Sequence, residues 1–225
     1  MWDYPQPNRG HTRYEKYVKL QTSAPINKPY RYHLTEQKTI DRLIIRPDQN
    51  KSPKSYSLTS RSIVDIGCGI GMGLWYLQYN GYNTLTGFEL RPEKVEIARQ
   101  ITGNDQIYQF DPGGPFNDPG WSLPQQFDVF YLSHSFEHFY DPERAVAWMK
   151  HTAKPEAKFF FIMPYPDRTP APAHTASRLL GLDQDDEGAT LIKWFMARGL
   201  VPFAVPIFSS EREPEIWLSM KKEEE

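Results

Sequence analysis

Residues 63–73 read Ile-Val-Asp-Ile-Gly-Cys-Gly-Ile-Gly-Met-Gly, and this stretch decides the fold of the chain. Its apolar start is typical of a buried strand, and four glycines then occupy every second position. Residues 74–77, Leu-Trp-Tyr-Leu, begin to repeat at helical spacing. A strand, a glycine loop and a helix in this order let backbone N–H groups approach a ligand closely at the helix N-terminus. The stretch therefore predicts a nucleotide-type binding site.

The spacing of the glycines excludes two common phosphate-binding loops. The dinucleotide fingerprint G-x-G-x-x-G requires a third glycine where this chain has Met72 or Leu74. A Walker-type loop requires Gly-Lys-Ser/Thr, and the stretch does not contain it. Glu89 ends the second predicted strand, and its carboxylate suits a ribose diol and repels a phosphate on it. The pattern favours a nucleoside ligand without a diphosphate.

The composition of the chain limits the classes of protein to which it can belong. A chain of 225 residues fits one α/β domain with a small extension, and its net charge of -2 provides no basic field for nucleic acid. The single cysteine, Cys68, excludes an intrachain disulfide and a multi-cysteine zinc site, and we expect no metal. No apolar run approaches the roughly 20 residues of a membrane span. Residues 1–13 lack the apolar segment of a signal peptide. We therefore expect a cytoplasmic protein.

Strand and helix patterns alternate from residue 61 onward. The predicted strands are 62–66, 82–88, 106–110, 127–132, 158–163, 200–208 and 215–220. The predicted helices are 35–46, 72–80, 92–101, 142–151 and 188–198. This alternation favours a Rossmann-like, doubly wound α/β sheet of seven strands, mostly parallel, with an antiparallel edge strand. We assign residues 61–225 to this domain and residues 1–60 to an N-terminal extension that can serve as a lid.

Several segments share their order and spacing with a known family. They are D-I-G-C-G-I-G-M-G from Asp65, G-F-E-L from Gly87, Q-F-D from Gln109, FDVFYLSHSFEHFYDPERAV from Phe127 and KPEAKFFFIMPYP from Lys154. In this combination the chain resembles the class I S-adenosylmethionine-dependent methyltransferases, and in particular their small-molecule branch. The resemblance extends from about Arg61 to Lys221. It implies S-adenosylmethionine as the cofactor and S-adenosylhomocysteine as the product.

The resemblance also implies a role for each position of the glycine loop. Gly67, Gly69 and Gly71, together with Cys68, would form the loop beneath the methionine and ribose moieties. Asp65 would lie near the methionine ammonium group. Cys68 is a small residue in a tight loop, and we do not expect it to be a nucleophile.

Later positions would bind the rest of the cofactor in the resembling family. Glu89, followed by Leu90, would bind the ribose hydroxyls. Asp111 would reach the adenine amino group, flanked by Pro112. Ser133, at the end of the fourth strand, would line the methionine side of the pocket.

The catalytic requirements of methyl transfer are modest. An in-line displacement at a sulfonium requires alignment and, for some acceptors, a base. The candidates for a base or an acceptor anchor are His134, His138, Tyr165 and His174. We select His134, directly after the fourth strand, and His174, in the loop after the fifth. For His138 we favour a structural pairing with Glu137 or with a backbone carbonyl.

The methyl acceptor has no motif that can be recognised in the sequence. We expect transfer to an oxygen, nitrogen or carbon atom of a small molecule, with no membrane partner. The alternatives are a methyltransferase acting on nucleic acid or protein, and a non-catalytic S-adenosylmethionine-binding module. Met-Pro-Tyr-Pro from Met163 follows the fifth strand and lacks the amide or acid that binds a flipped base. This disfavours nucleic acid. The sequence leaves the oligomeric state open.

Overall fold

The structure is a computed structural model that describes residues 33–45, 60–112, 114, 126–167, 172–209 and 214–223. Most of the predicted N-terminal extension lies outside these ranges, so its role as a lid stays a prediction. Every predicted strand and helix begins within the described residues.

The strands form one mixed sheet. They are β1 (Ser62–Ile66), β2 (Thr84–Glu89), β3 (Ile107–Gln109), β4 (Phe127–Ser133), β5 (Ala153–Pro164), β6 (Leu200–Pro202), β7 (Ile207–Ser209) and β8 (Glu215–Lys222). Their order is β3-β2-β1-β4-β5-β8-β6, and β7 also pairs with β8. The strands from β1 to β5 pair in parallel, and β8 is antiparallel to β5, β6 and β7. This confirms the predicted mostly parallel sheet with an antiparallel edge.

Two predicted strands differ from the observed ones by more than about two residues. The segment 200–208 contains two short strands, so the sheet has eight strands in place of the expected seven. Pro202 ends the first of them and Pro206 precedes the second, and a proline has no N–H to donate to a ladder. The strand β5 begins at Ala153, earlier than predicted, because Ala153 already pairs with Phe127 before a register shift.

The described helices are α1 (His33–Ile40), α2 (Met72–Tyr79), α3 (Pro92–Thr102), α4 (Pro142–Thr152), α5 (Ser177–Leu180) and α6 (Ala189–Met196). All of them except α5 lie at predicted positions to within a few residues. A π-helical turn, Asp41–Ile45, continues α1, and a 3₁₀ turn, Phe136–His138, follows β4. The 3₁₀ turn and α5 were not predicted, since a single turn is too short to show a helical repeat.

The sheet carries a hydrophobic core on each face. Successive side chains of a strand point to opposite faces, so β1 contributes to both cores. Val64 belongs to the cluster that contains Trp148 of α4 and Phe195 of α6. Ile63 belongs to the cluster that contains Leu74 of α2 and residues of α1 and α3. Helices therefore cover both faces of the sheet, as a doubly wound fold requires. The ends of the strands are the part of the sheet where such folds bind ligands.

Candidate functional site

The topology brings the predicted binding residues to one edge of the sheet. The parallel strands β1, β2, β3 and β4 all end at this edge, and the strand order reverses between β1 and β4. Open α/β sheets bind ligands outside the carboxyl ends of their strands at such a reversal. The glycine loop follows β1, Glu89 ends β2, and Ser133 ends β4. The structure thus places these residues at the edge where open α/β sheets bind their ligands.

The glycine loop has the backbone conformation that its glycines allow. Gly67, Gly69 and Gly71 have φ angles of 81°, 57° and 83°, in the left-handed region. The backbone N–H groups of Gly67 and Cys68 both donate to the Phe88 carbonyl, at 2.8 and 3.0 Å. These bonds hold the loop against the end of β2.

One side of the loop is closely packed against the segment that follows β4. A Cβ atom at Gly67 would overlap the Cβ of Ser135. The Ser135 hydroxyl donates to the carbonyl of Ile66 at 2.7 Å, which holds the two segments together. Only glycine therefore fits at position 67.

The loop is open at Gly69, where an added Cβ would meet no atom within 4 Å. Next to this opening, Glu89 Oε2 accepts from the Gly69 N–H, and Glu89 Oε1 accepts from the Arg91 N–H, each at 3.0 Å. A carboxylate has about four acceptor positions, so both oxygens keep capacity for a ligand. A buried carboxylate acceptor beside an open glycine fits a nucleoside diol without a diphosphate, as S-adenosylmethionine has.

The remaining predicted cofactor residues lie along the same edge. The Phe110 N–H donates to the Glu89 carbonyl at 3.1 Å, so Asp111, which is 9% exposed, begins its loop beside Glu89. Pro112 is buried next to it, and Leu90 is half-buried at the end of β2.

On the other side of β1, Ser133 ends β4 and is half-buried. Asp65 is buried within β1, between Gly87 of β2 and Tyr131 of β4. The predicted cofactor residues therefore form one continuous group around the ends of β1, β2, β3 and β4.

A second group of side chains, rich in histidine, lies beyond β4. His134 has a φ of 50°, and its N–H donates to the Ile162 carbonyl at 2.9 Å. Its Nε2 lies 2.9 Å from Glu215 Oε1, and its Nδ1 lies 3.7 Å from Glu137 Oε1. Burial lowers the pKa of His134, but the two carboxylates outweigh it and raise the pKa to about 10. The imidazole is therefore protonated at neutral pH.

Glu137 lies at the centre of this group, with a side chain that is 1% exposed. Burial raises the pKa of its carboxyl, but the nearby His134 and His138 outweigh burial and lower the pKa below its ordinary value. Neither carboxylate oxygen has a hydrogen-bond partner among the residues that the structure describes. Glu137 is thus a buried anion that is balanced by charge but not by hydrogen bonds.

His138 and His174 pack against each other, with ring centroids 4.8 Å apart. Nδ1 of His138 lies 2.9 Å from the Ala173 carbonyl, the backbone pairing that we favoured for this residue. Nδ1 of His174 lies 2.8 Å from Asp167 Oδ2, which also accepts from the Ser177 hydroxyl at 2.6 Å. Both imidazoles are therefore fixed through Nδ1.

Sequence reasoning missed two residues of this group, Asp167 and Glu215. Asp167 has no motif, and only its contact with His174 reveals it. Glu215 is the first residue of β8 and pairs with Pro164, the last residue of β5. Since β8 is antiparallel, its beginning lies at the edge where the parallel strands end. The prediction of an antiparallel edge strand beginning at residue 215 was thus the signal that could have placed Glu215 at this edge.

Tyr165, a candidate base in the sequence, stabilises a turn in the structure. Its hydroxyl donates to Asp186 Oδ1 at 2.9 Å and accepts from the N–H groups of Asp186 and Gly188. The ring is 4% exposed. Burial raises the pKa of this phenol, so its position favours a structural role.

Among the described helices, none is long and apolar enough to cross a membrane.

The sheet order and the site at its edge define the class of this protein as a Rossmann-like, class I methyltransferase fold with S-adenosylmethionine as the methyl donor. A family model described as "Methyltransferase domain" matches residues 32–201. The chain belongs to this methyltransferase domain family, which confirms the resemblance on which the sequence analysis relied.

Individual relatives agree with this assignment. Norajmaline N-methyltransferase of Rauvolfia serpentina is 29% identical over 132 residues, which make up 57% of this chain and 42% of that enzyme. The match thus spans less than half the length of this curated relative.

Solved structures show the same fold. The N-methyltransferase NodS from Bradyrhizobium japonicum WM9 has a TM-score of 0.59 at 16% identity, over 87% of this chain and 99% of that one. The plantazolicin methyltransferase BpumL, in complex with a pentazolic desmethylPZN analog and SAH, has a TM-score of 0.58 at 14% identity. That match extends over 96% of this chain and 92% of the other.

Proposed function

We propose that this protein transfers a methyl group from S-adenosylmethionine to an oxygen, nitrogen or carbon atom of a small molecule. The observation that carries the proposal is the buried Glu89 carboxylate beside the open face of Gly69, at the edge where the strand order reverses. The relatives named as N-methyltransferases support a small acceptor and favour nitrogen among the three atoms.

In this proposal the cofactor lies across the ends of β1 to β4. Gly67, Cys68, Gly69 and Gly71 form the surface beneath it, and Asp65 and Ser133 line its methionine end. Glu89 accepts from the ribose hydroxyls, with Leu90 beside it. Asp111 and Pro112 lie at the adenine end. The cofactor supplies a methyl group on a positively charged sulfur, so the chain's own residues have to align the acceptor and exclude water.

We assign the acceptor side to the histidine-rich group beyond β4. A protonated His134 has no lone pair with which to accept a proton, so we propose that it anchors the acceptor and is not the base. His174 is oriented by Asp167 through Nδ1, which leaves Nε2 as the ring atom for contact with the acceptor. Between the two predicted catalytic residues, His174 is therefore the stronger candidate for a direct role.

The experiment that tests the proposal offers the protein three kinds of acceptor. Purified protein is incubated with methyl-labelled S-adenosylmethionine and with the small-molecule, nucleic-acid and protein fractions of a cell extract. We expect label in the small-molecule fraction, suppressed by excess S-adenosylhomocysteine. Label confined to nucleic acid or protein would contradict the small acceptor, and the absence of label from all three fractions would favour the non-catalytic alternative.

Once an acceptor is known, two histidine variants separate a direct role from a general effect. His174→Ala is expected to lower kcat by about 100-fold or more, the usual range for a lost acid–base or anchoring group. His151, exposed on α4, provides the matched control, and His151→Ala should leave kcat unchanged. Equal kcat values for wild type and His174→Ala would remove His174 from the mechanism.

A further inference from the structure

Three potential metal ligands converge beside the proposed acceptor site. Glu137, His138 and His174 each offer one donor atom, and these atoms lie within 4.8 Å of one another. Within this set, His138 Nε2 is 3.8 Å from Glu137 Oε1. Glu137 and His138 belong to the 3₁₀ turn after β4, and His174 shortly precedes α5. Two separate segments of the fold thus contribute donors to one point.

The carboxylate of Glu137 is the member of this set with unused ligand atoms. Its side chain is 1% exposed, and neither oxygen has a hydrogen-bond partner in the described part of the chain. The nearest imidazole nitrogens, at 3.7 and 3.8 Å, lie beyond hydrogen-bond distance. The imidazoles balance the charge of Glu137, but both carboxylate oxygens keep acceptor capacity, which a metal ion can use.

Both histidines have the outer partners that metal-binding imidazoles use. His138 Nδ1 must carry a proton, because the Ala173 carbonyl at 2.9 Å can only accept. His174 Nδ1 lies 2.8 Å from the Asp167 carboxylate, which a hydroxyl from Ser177 also holds in place. Such bonds from Nδ1 to a carbonyl or carboxylate fix the tautomer and direct Nε2 towards a metal ion.

From these observations we infer that Glu137, His138 and His174 bind a divalent transition-metal ion. Two imidazoles and one carboxylate suit zinc or another late transition ion, whereas magnesium and calcium prefer oxygen ligands throughout. Ligands about 2.1 Å from a tetrahedral zinc ion are roughly 3.4 Å apart. His138 and Glu137, at 3.8 Å, are close to this separation, and the three donors, which lie within 4.8 Å of one another, have to draw together to bind the ion. Counting cysteines, as in the sequence analysis, does not detect a site of this composition.

The position of this metal site gives it a role that rests on the proposed function. Three protein ligands leave a zinc ion one open position, which a hydroxyl or amine of the acceptor can occupy. The bound group then loses its proton to solvent more readily. Its lone pair forms the bond to the methyl carbon while the methyl–sulfur bond breaks and its electrons stay on sulfur. His174 thus holds the acceptor through the ion and does not take its proton directly.

A zinc titration of the untagged, metal-free protein tests this inference without any acceptor or cofactor. The protein competes with a chromophoric zinc indicator, and we expect one zinc ion per chain, with no competition from excess magnesium. His138→Ala is expected to weaken zinc binding by 100-fold or more. Asp167→Asn, which changes only an outer partner, should weaken it by about 10- to 100-fold. His151→Ala is the matched control and should bind zinc as wild type does.

A second measurement guards against variants that fail to fold. Zinc should raise the Tm of wild type by an amount that grows with the logarithm of the zinc concentration over its dissociation constant, and it should leave the Tm of Glu137→Gln unchanged. Failure of wild type to bind zinc, or equal zinc affinity in wild type and His138→Ala, would overturn the metal site. Because S-adenosylhomocysteine binding is measured separately, loss of zinc binding alone leaves the proposed methyl transfer intact. Zinc binding without S-adenosylhomocysteine binding would instead contradict the proposed function.

Discussion

His134 shows how much the function of one residue depends on its neighbours. The sequence predicts that His134 lies at the end of a buried strand, where its side chain is a candidate base or an anchor for the methyl acceptor. The structure adds Glu215, whose Oε1 lies 2.9 Å from the imidazole and whose Oε2 accepts from the Trp217 indole. This pairing crosses from β4 to β8, so no local pattern around His134 can reveal it.

The raised pKa of His134 predicts a pH-dependent stability. The folded chain holds the imidazole proton up to about pH 10, whereas the unfolded chain releases it near 6.5. The contribution is therefore complete below pH 6.5 and is lost as the pH rises towards 10, by at most about 1.4 kcal/mol per pH unit. Urea unfolding at pH 6, 8 and 10 measures this loss.

Two glutamine variants make that measurement specific. In His134→Gln the stability difference from wild type should shrink as the pH rises from 6 to 10, because only wild type loses a favourable proton. His151→Gln removes an exposed imidazole and should keep the wild-type pH dependence. A constant difference between wild type and His134→Gln across this range would show that the ion pairs do not hold the proton.

Other residues of the site were predictable because their role is local. Gly67, Gly69 and Gly71 adopt positive φ angles, a conformation that glycine permits and that their spacing in the sequence indicates. Glu89 was predictable because it ends a strand next to the loop. For Glu137 the sequence predicts only a pairing with His138. The burial of its carboxylate, whose oxygens have no hydrogen-bond partner among the described residues, results from the packing of distant segments.

At the scale of elements, the glycine loop and the segment before the 3₁₀ turn pack so closely that one methyl group should separate them. Gly67→Ala introduces a Cβ that overlaps Ser135 and also places alanine at a φ of 81°. We expect a loss of roughly 2–5 kcal/mol in the free energy of unfolding, from steric overlap added to left-handed strain. Cofactor affinity should fall with it.

Gly103 provides the control for backbone strain alone. It has a φ of 63°, ends α3 and has open space where a Cβ would lie. Gly103→Ala should cost about 1–2 kcal/mol and leave cofactor binding unchanged. Equal losses of unfolding free energy in the two variants, measured in urea, would show that the contact with Ser135 contributes nothing.

Helices and strands were predictable from the sequence where their apolar periodicity extends over many residues. The alternation of strands and helices from β1 to β5 follows from apolar periodicity, and α3 and α4 have clear apolar faces. The 3₁₀ turn carries Glu137, and α5 follows His174. Neither element has enough residues to form a periodic pattern. The proposed acceptor side depends on these short elements, and the sequence therefore does not define it.

At the scale of the whole molecule, we propose that the donor and the acceptor bind at different parts of the same edge of the sheet. The ends of β1, β2, β3 and β4 carry the proposed cofactor residues, which sequence motifs predict. The histidine-rich group lies beyond the ends of β4 and β5, and the antiparallel strand β8 adds Glu215 to it from its first residue. In this proposal the donor site depends on motifs in the sequence, whereas the acceptor site depends on contacts between distant segments.

Calorimetric titration with S-adenosylhomocysteine tests the central claim most directly. We expect one ligand per wild-type chain, and about 10- to 100-fold weaker binding to Glu89→Gln, because a carboxylate that accepts ribose hydrogen bonds is lost. Glu96→Gln, on the exposed side of α3, should bind as wild type does. Absence of binding to wild type, or equal affinity in wild type and a folded Glu89→Gln, would contradict the cofactor site described here.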